Sequence, residues 1–156
     1  MVSRRQFLRG DFGGQKRPQR PPWALGDVAF ADACTRCGEC VVACPQGVLL
    51  LDHGYPRVDF GRGPCTYCGD CVQACTVGAL RRDGDVAPWS IKATIGEKCV
   101  AFDDVVCRRC ADACQVGAIS FRPRVNRAAV PEIVGEKCTG CGACVAPCPT
   151  GTIRVA

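Results

Sequence analysis

Sixteen of the 156 residues are cysteine, and their spacing divides them into four groups of four. Three groups read C-x2-C-x2-C-x3-C: Cys34, Cys37, Cys40 and Cys44; Cys65, Cys68, Cys71 and Cys75; Cys138, Cys141, Cys144 and Cys148. The remaining group, Cys99, Cys107, Cys110 and Cys114, keeps the last two gaps and lengthens the first to seven residues. Thiolates are soft, anionic ligands for iron or zinc. The pattern therefore predicts metal binding.

Internal alignment assigns Cys99 to the lengthened group. The run Gly96-Glu97-Lys98-Cys99 matches Gly135-Glu136-Lys137-Cys138 at an offset of 39, whereas the next three cysteines match the last group at an offset of 34. The difference of five residues is an insertion after Cys99. The chain thus repeats a unit of about thirty residues four times, two units in each half.

The spacing resembles that of bacterial two-cluster ferredoxins, in which the fourth cysteine of each run binds the other 4Fe-4S cluster. Structural zinc and disulfides are the alternatives, but zinc sites usually pair two distant C-x2-C units and disulfides suit secreted chains. The resemblance implies four 4Fe-4S clusters. Their ligand sets would be cluster 1, Cys34, Cys37, Cys40 and Cys75; cluster 2, Cys65, Cys68, Cys71 and Cys44; cluster 3, Cys99, Cys107, Cys110 and Cys148; cluster 4, Cys138, Cys141, Cys144 and Cys114.

The elements around the cysteines predict an α+β fold with two tandem ferredoxin-like domains, residues 23–88 and 89–156, small and loop-rich. Hairpins are expected at 48–60, turning at His53-Gly54, and at 119–134, turning at 125–127. Short helices are expected to start near each fourth cysteine, as at 40–46 and 144–150. Each half has only about 60 residues, a size at which apolar burial is marginal. We therefore expect the clusters to stabilise the fold.

The net charge of +5 lies entirely in residues 1–22, a basic segment that we expect to be poorly ordered. A body without excess charge argues against nucleic-acid binding. The longest apolar run, 48–51, is far too short for a membrane span. The opening around Arg4, Arg5 and Arg9 is similar to a twin-arginine export signal, but no apolar stretch follows it, which favours a cytoplasmic protein. These arginines are candidates for partner binding, and a solvated tail is the simpler alternative.

Catalysis is not expected. The only histidine, His53, lies in a predicted turn and is expected to be exposed. Sixteen cysteines for sixteen iron corners leave no metal position open to a substrate. Trp23, Trp89, Tyr55 and Tyr67 are expected to be packing residues, with Tyr67 also shielding its cluster from solvent.

Several short motifs resemble the NapF family, the ferredoxin-type proteins of the periplasmic nitrate reductase system. They are the Ser3-Arg4-Arg5 opening, Arg20-Pro21-Pro22-Trp23, Cys34-Thr35-Arg36-Cys37, Gly54-Tyr55-Pro56, Cys107-Arg108-Arg109-Cys110 and Phe121-Arg122-Pro123. The resemblance implies a cytoplasmic four-cluster protein that binds the precursor of the nitrate reductase catalytic subunit and assists its maturation before export. Thr76 and Gln115 replace the proline that usually follows the fourth cysteine. A diffusible polyferredoxin and an electron-transfer subunit of a larger oxidoreductase are the alternatives.

Overall fold

The computed structural model describes residues 18–156, which form short helices and two-stranded antiparallel sheets separated by loops. The helices are α1 (Asp27–Ala33), α2 (Glu39–Val42), α3 (Asp70–Gln73) and α4 (Arg109–Asp112). The strands are β1 (Leu49–Asp52), β2 (Tyr55–Val58), β3 (Ala93–Ile95), β4 (Ile119–Arg124), β5 (Arg127–Ile133) and β6 (Ile153–Val155). The expected mixture of short helices and hairpins is therefore present, and no helix within residues 18–156 is long and apolar enough to cross a membrane.

Both predicted hairpins form, and their turns explain the residues that occupy them. Strands β1 and β2 pair with Leu49 opposite Val58, and His53 and Gly54 between them both have positive φ, 48° and 81°. Two consecutive left-handed residues match the right-handed twist of the flanking strands. Strands β4 and β5 turn at Val125-Asn126, where Asn126 has φ 54°. The second hairpin turn is one residue shorter than predicted, because Arg127 already belongs to β5.

The predicted position of the short helices is only partly right: α2 overlaps the predicted span 40–46, but no helix forms over 144–150. Helices α2, α3 and α4 each contain the third cysteine of a group and end before the fourth, and residues 143–147 of the last group form turns instead of a helix. The chain reverses at a left-handed glycine before two of these helices, Gly38 before α2 and Gly69 before α3. The backbone can become helical directly after such a residue, so α2 and α3 begin five residues before the fourth cysteine of their group.

The end of the basic segment contacts the first half. The carbonyl of Gln19 accepts a hydrogen bond from the backbone N–H of Val58 at 2.8 Å, and the side chain of Pro21 is fully buried. The guanidinium of Arg20 lies 5.0 Å from the ring centre of Phe30. The apolar and cationic groups of residues 19–22 thus have partners on the first half, while the expectation of poor order for residues 1–22 stays a prediction. Residues 1–17 lie outside the described residues.

Each half has its own buried core, and the chain ends of each half pair with each other. In the second half β3 pairs with β6, and in the first half Ala24 forms an isolated bridge with Leu80 at the equivalent place. Phe30 of α1 is fully buried in the first core. Side chains of Trp89, Ile91 and Val145 from the second half pack against this core. The two halves therefore contact each other directly.

Candidate metal centres

Three of the four cysteine loops turn on left-handed residues at both sides of their second cysteine. The φ angles are 63°, 58° and 75° at the residue before it and 83°, 88° and 76° at the residue after it; the residues are Arg36, Tyr67 and Gly140, and Gly38, Gly69 and Gly142. Glycine takes this conformation freely, whereas a side chain makes it cost about 1–2 kcal/mol. The loops thus wind tightly instead of extending. This winding keeps three cysteines of one group together.

The lengthened loop of the third group is held in another way. Arg124 of β4 donates hydrogen bonds to the backbone carbonyl of Ala101 at 2.8 Å and to the carboxylate of Asp104 at 2.7 Å. Arg127 forms a second ion pair with Asp104 at 3.2 Å. These contacts fasten the inserted residues to the β4–β5 hairpin. The five extra residues therefore leave Cys99 close to the rest of its group.

Three cavities are each lined by four cysteines, three from one repeat and the last cysteine of the neighbouring repeat. Their volumes, including their open mouths, are about 380, 350 and 340 Å³. We call them site 2, with Cys44, Cys65, Cys68 and Cys71; site 3, with Cys99, Cys107, Cys110 and Cys148; and site 4, with Cys114, Cys138, Cys141 and Cys144.

Of the remaining four cysteines, three lie near Cys40: Cys34, Cys37 and Cys75. Burial, together with negative charge on Cys34, Cys75 and Cys37, raises the pKa of the Cys40 thiol to about 11. Such electrostatic effects require neighbouring sulfur atoms. We call this set site 1. The structure thus places four cysteines around each of three cavities and three cysteines near Cys40. The assignment of these cysteines to four clusters stays a prediction.

The donor chemistry of these sites fits a 4Fe-4S cluster. Within residues 18–156, no three Cys, His, Asp or Glu side chains converge as they would around a single metal ion. Four cysteines spread around one cavity instead match a cluster that presents one iron at each of four corners. When bound, such a cluster supplies a one-electron redox centre.

Burial favours the protonated form of some of the thiols, among them Cys71 and Cys144. It raises the pKa of Cys71 to about 12, with nearby Cys65 and Cys68 adding to the effect, and it also raises that of Cys144 to about 12. Iron must therefore displace protons from these thiols, and its positive charge is what makes buried thiolates tolerable. We therefore expect cluster binding and folding to be coupled.

Backbone amides donate hydrogen bonds to some of the ligand sulfur atoms. The N–H of Leu80 lies 3.4 Å from Sγ of Cys75, and the N–H of Ala118 lies 3.2 Å from Sγ of Cys114. Burial raises the pKa of Cys148, but hydrogen bonds from the Thr150 hydroxyl and from nearby backbone N–H groups outweigh it, so that the pKa is lowered overall. Hydrogen bonds to sulfur are one of the factors that set the reduction potential of a cluster.

The cysteine pattern pointed to Tyr67 near site 2, but not to the contacts that Arg36, Tyr67 and Trp89 make around the sites. Arg36, between two ligands of site 1, donates a hydrogen bond to the Tyr55 hydroxyl at 2.7 Å and lies 4.4 Å from the centre of the Tyr55 ring. Tyr67 and Trp89 both line the site 2 cavity. The hydroxyl of Tyr67 and the indole N–H of Trp89 donate to the carbonyl of Thr139, at 2.8 and 3.2 Å. The expected packing role of these aromatic residues is thus observed.

The candidate partner-binding residues Arg4, Arg5 and Arg9 lie outside the described residues. His53 lies in its hairpin turn with a side chain that is 96% exposed, as expected. Among the sixteen cysteines, only Cys37 and Cys68 are exposed. Sites 1 and 2 therefore each have one ligand at the surface, whereas those of sites 3 and 4 are buried or half-buried.

The fold and the sites together define a ferredoxin-type protein with two dicluster units. A family model described as a 4Fe-4S dicluster domain matches twice, at residues 33–79 and 105–152, so the protein carries four 4Fe-4S clusters. The second match begins after Cys99, although the structure places Cys99 in site 3.

The chain is 40% identical to the ferredoxin-type protein NapF of Haemophilus influenzae, over 99% of this chain and 93% of that protein. It is 39% identical to the Escherichia coli K12 protein of the same name, over 97% and 93%. A 32-residue stretch is 59% identical to the ferredoxin-type protein NapG of Escherichia coli K12, over 20% of this chain and 14% of that protein. The chain belongs to the NapF family of ferredoxin-type proteins. No solved structure matches it significantly.

Proposed function

We propose that this chain is an iron–sulfur electron-transfer accessory protein that assists the cytoplasmic maturation of the catalytic subunit of the periplasmic nitrate reductase before its export. The observation that carries the proposal is the similarity to NapF proteins over almost the whole chain, including both dicluster units. The convergence of all sixteen cysteines on four sites supports the electron-transfer part. In that arrangement the chain would bind and orient the clusters, and it buries five of the sixteen cysteines.

Electron exchange with a client is proposed to take place at the first half. Cys37 and Cys68 are its two exposed ligands, and a partner must approach a cluster edge to exchange electrons. Arg36 lies on the surface beside Cys37, where its guanidinium is fixed by the Tyr55 ring and hydroxyl. An acidic patch on the client would complement it.

The basic N-terminal segment is proposed to strengthen the association through Arg4, Arg5 and Arg9. Because residues 19–22 pack on the first half, a deletion that tests this segment has to stop at residue 17. Removal of residues 2–17 is expected to weaken client binding without loss of iron. The triple variant Arg4→Gln, Arg5→Gln, Arg9→Gln is the matched control that keeps the length and removes only charge.

The deciding experiment measures binding of the cluster-loaded chain, under anaerobic conditions, to the catalytic subunit in two forms. One form is the cofactor-free precursor and the other is the mature enzyme. Selective binding to the precursor is the expected result. Equal binding to both forms would instead favour an electron-transfer subunit of the working enzyme, and binding to neither would refute the proposal.

A diffusible polyferredoxin is the second candidate. The exposed ligands Cys37 and Cys68 favour it, because an accessible cluster edge can serve several partners. This candidate predicts that the chain accepts electrons from unrelated low-potential donors at similar rates. It also predicts no effect when residues 2–17 are removed.

A further inference from the structure

The two halves touch at the loops that carry site 2 and site 4. The backbone N–H of Cys65 donates a hydrogen bond to the carbonyl of Cys141 at 2.8 Å. Two residues further on, the Tyr67 hydroxyl donates to the carbonyl of Thr139, also at 2.8 Å. Cys65 lines site 2 and Cys141 lines site 4. One hydrogen bond thus joins a ligand residue of one half directly to a ligand residue of the other.

Within each half, the two sites are also neighbours. Cys40 of site 1 and Cys71 of site 2 belong to one cluster of buried side chains, and Cys110 of site 3 belongs to another together with Cys138 and Cys144 of site 4. The contacts therefore connect the sites in a line. Its order is site 1, site 2, site 4, site 3.

We propose that electrons cross the molecule along this line and pass between the halves at the contact of Cys65 with Cys141. Each step moves one electron: the cluster that gives it is oxidised by one electron, the cluster that takes it is reduced by one, and no bond forms or breaks. The first electron comes from an external one-electron reductant. The proposal rests on the proposed ligand sets of the four sites and is independent of the client.

The contact between the halves includes a glycine, Gly142, at a position where a side chain would not fit. A Cβ atom at Gly142 of the second half would overlap the ring of Phe60 of the first half. The Trp89 ring packs edge-on against Phe60, with the ring centres 5.8 Å apart. At Gly69, the equivalent of Gly142 in the second repeat, nothing lies within 4 Å of such an atom. Gly142 is thus a positioning residue for the contact between the halves.

Comparison of the variants Gly142→Ala and Gly69→Ala distinguishes loss of the contact between the halves from strain within a cysteine loop. Both glycines directly follow the second cysteine of their group, and their φ angles are 76° and 88°. A methyl group strains both loops in the same way, but only at Gly142 does it push against the other half. Both variants and the parent chain are prepared full-length, loaded with clusters and without a histidine tag.

In this experiment the electrons are introduced at His53. It is the only histidine of the chain, its side chain is 96% exposed, and a Cβ atom at the adjacent Gly54 would lie 3.2 Å from Cδ of Arg36 in the site 1 loop. A photoactive ruthenium complex bound to His53 would deliver single electrons beside site 1. Dithionite in solution reaches all four clusters and measures the total capacity. Electron paramagnetic resonance of frozen samples counts the reduced clusters.

We expect the parent and Gly69→Ala to take up four electrons from the tethered complex, one for each cluster. Gly142→Ala should take up two electrons as the parent does, while the other two arrive more slowly, although dithionite still loads four. A merely structural effect would lower the dithionite capacity as well. Uptake of only two electrons by the parent, or identical uptake in both variants at full capacity, would overturn the proposal.

If Gly142→Ala fails to hold four clusters, removal of single sites tests the order instead. Cys99→Ala removes a ligand of site 3, and Cys144→Ala removes a ligand of site 4. From His53, the chain without the site 3 cluster should take up three electrons. The chain without the site 4 cluster should take up two, although dithionite loads three. Uptake of three by both would overturn the order. Because no client takes part, these results stand apart from any failure of the maturation proposal.

Discussion

The two halves carry the same cysteine repeats, but the first cysteine loop of each half is held in place by different contacts. In the first half, helix α1 leads directly into Cys34, and its Phe30 side chain is fully buried in the core. The second half has no such helix before Cys99. Its inserted loop, residues 100–106, has only Ala101 completely buried and has Val105 and Val106 exposed. The first loop is therefore held by apolar packing and the second by polar contacts.

This difference teaches which parts of the repeat are free to change. The cysteine positions and their tight turns recur because each site needs four sulfur atoms around one centre. The segment before or after the first cysteine only has to hold that cysteine in place. A buried aromatic ring does so in one half, and the Arg124–Asp104–Arg127 ion pairs do so in the other.

Removal of iron is expected to have the largest effect, because neither half has a large apolar core. The chain stripped of iron and sulfide should lose most of its helical and strand signal, since buried thiols no longer have a cluster to bind. Far-UV circular dichroism under anaerobic conditions measures this loss, and reconstitution with iron and sulfide is the control. Native-like, cooperative melting of the stripped chain would contradict the prediction. Retention of α1 alone would show that the first half is the more independent one.

Replacement of a first cysteine should remove one cluster in either half. We expect Cys34→Ala and Cys99→Ala each to lower the iron and sulfide content from four clusters to three. The exposed Val106 lies in the same inserted loop as Cys99, so Val106→Ala is the control and should keep all four. Full iron content in Cys99→Ala would remove Cys99 from site 3 and end the equivalence of the two halves.

The repeated parts of the molecule were predictable from the sequence, and the parts that occur once were not. Four aligned cysteine groups predicted four 4Fe-4S clusters, and the His53-Gly54 pair predicted the first hairpin. Helix α1 was missed because Asp27–Ala33 is short and its preceding residue, Gly26, supplies no side-chain cap. The helices at the third cysteines were misplaced because their start depends on left-handed glycines whose φ angle cannot be read from the spacing.

Contacts between distant segments could also not be predicted from the sequence pattern. Gly142 looks like the other loop glycines, and only the approach of Phe60 distinguishes it. Likewise, nothing in the basic segment indicates that Arg20 would lie over the Phe30 ring. Such pairs are set by packing between separate elements, which one sequence without its fold does not reveal.

Truncation of Phe30 should destabilise the first half by about 3–5 kcal/mol, the usual cost of replacing a fully buried phenylalanine with alanine. Phe102→Ala is the matched control in the second half, because Phe102 is 39% exposed on the inserted loop. The guanidinium concentration at which the iron–sulfur absorbance disappears measures both variants. Equal shifts for the two variants would mean that the inserted loop is held by apolar packing as well.

The smallest expected effect is that of Asp104→Asn, which breaks both ion pairs of the inserted loop. Partly exposed ion pairs contribute about 0.2–1 kcal/mol each, and salt screens them. The variant should therefore release iron from site 3 faster than the parent at low ionic strength and at nearly the same rate in high salt. Glu132→Gln is the control, because it breaks the exposed Arg122 ion pair of the same hairpin without touching the loop.

A salt-independent difference between Asp104→Asn and its parent would point to a cause other than charge. The remaining hydrogen bond from Arg124 to the carbonyl of Ala101 has a neutral acceptor in a fully buried residue, so it should persist in the variant. Arg124→Ala removes that bond as well and should release iron faster than Asp104→Asn even in high salt. If the two variants behave alike, the ion pairs alone hold the loop, and the polar closure of the second half is sensitive to salt in a way that the apolar closure of the first is not.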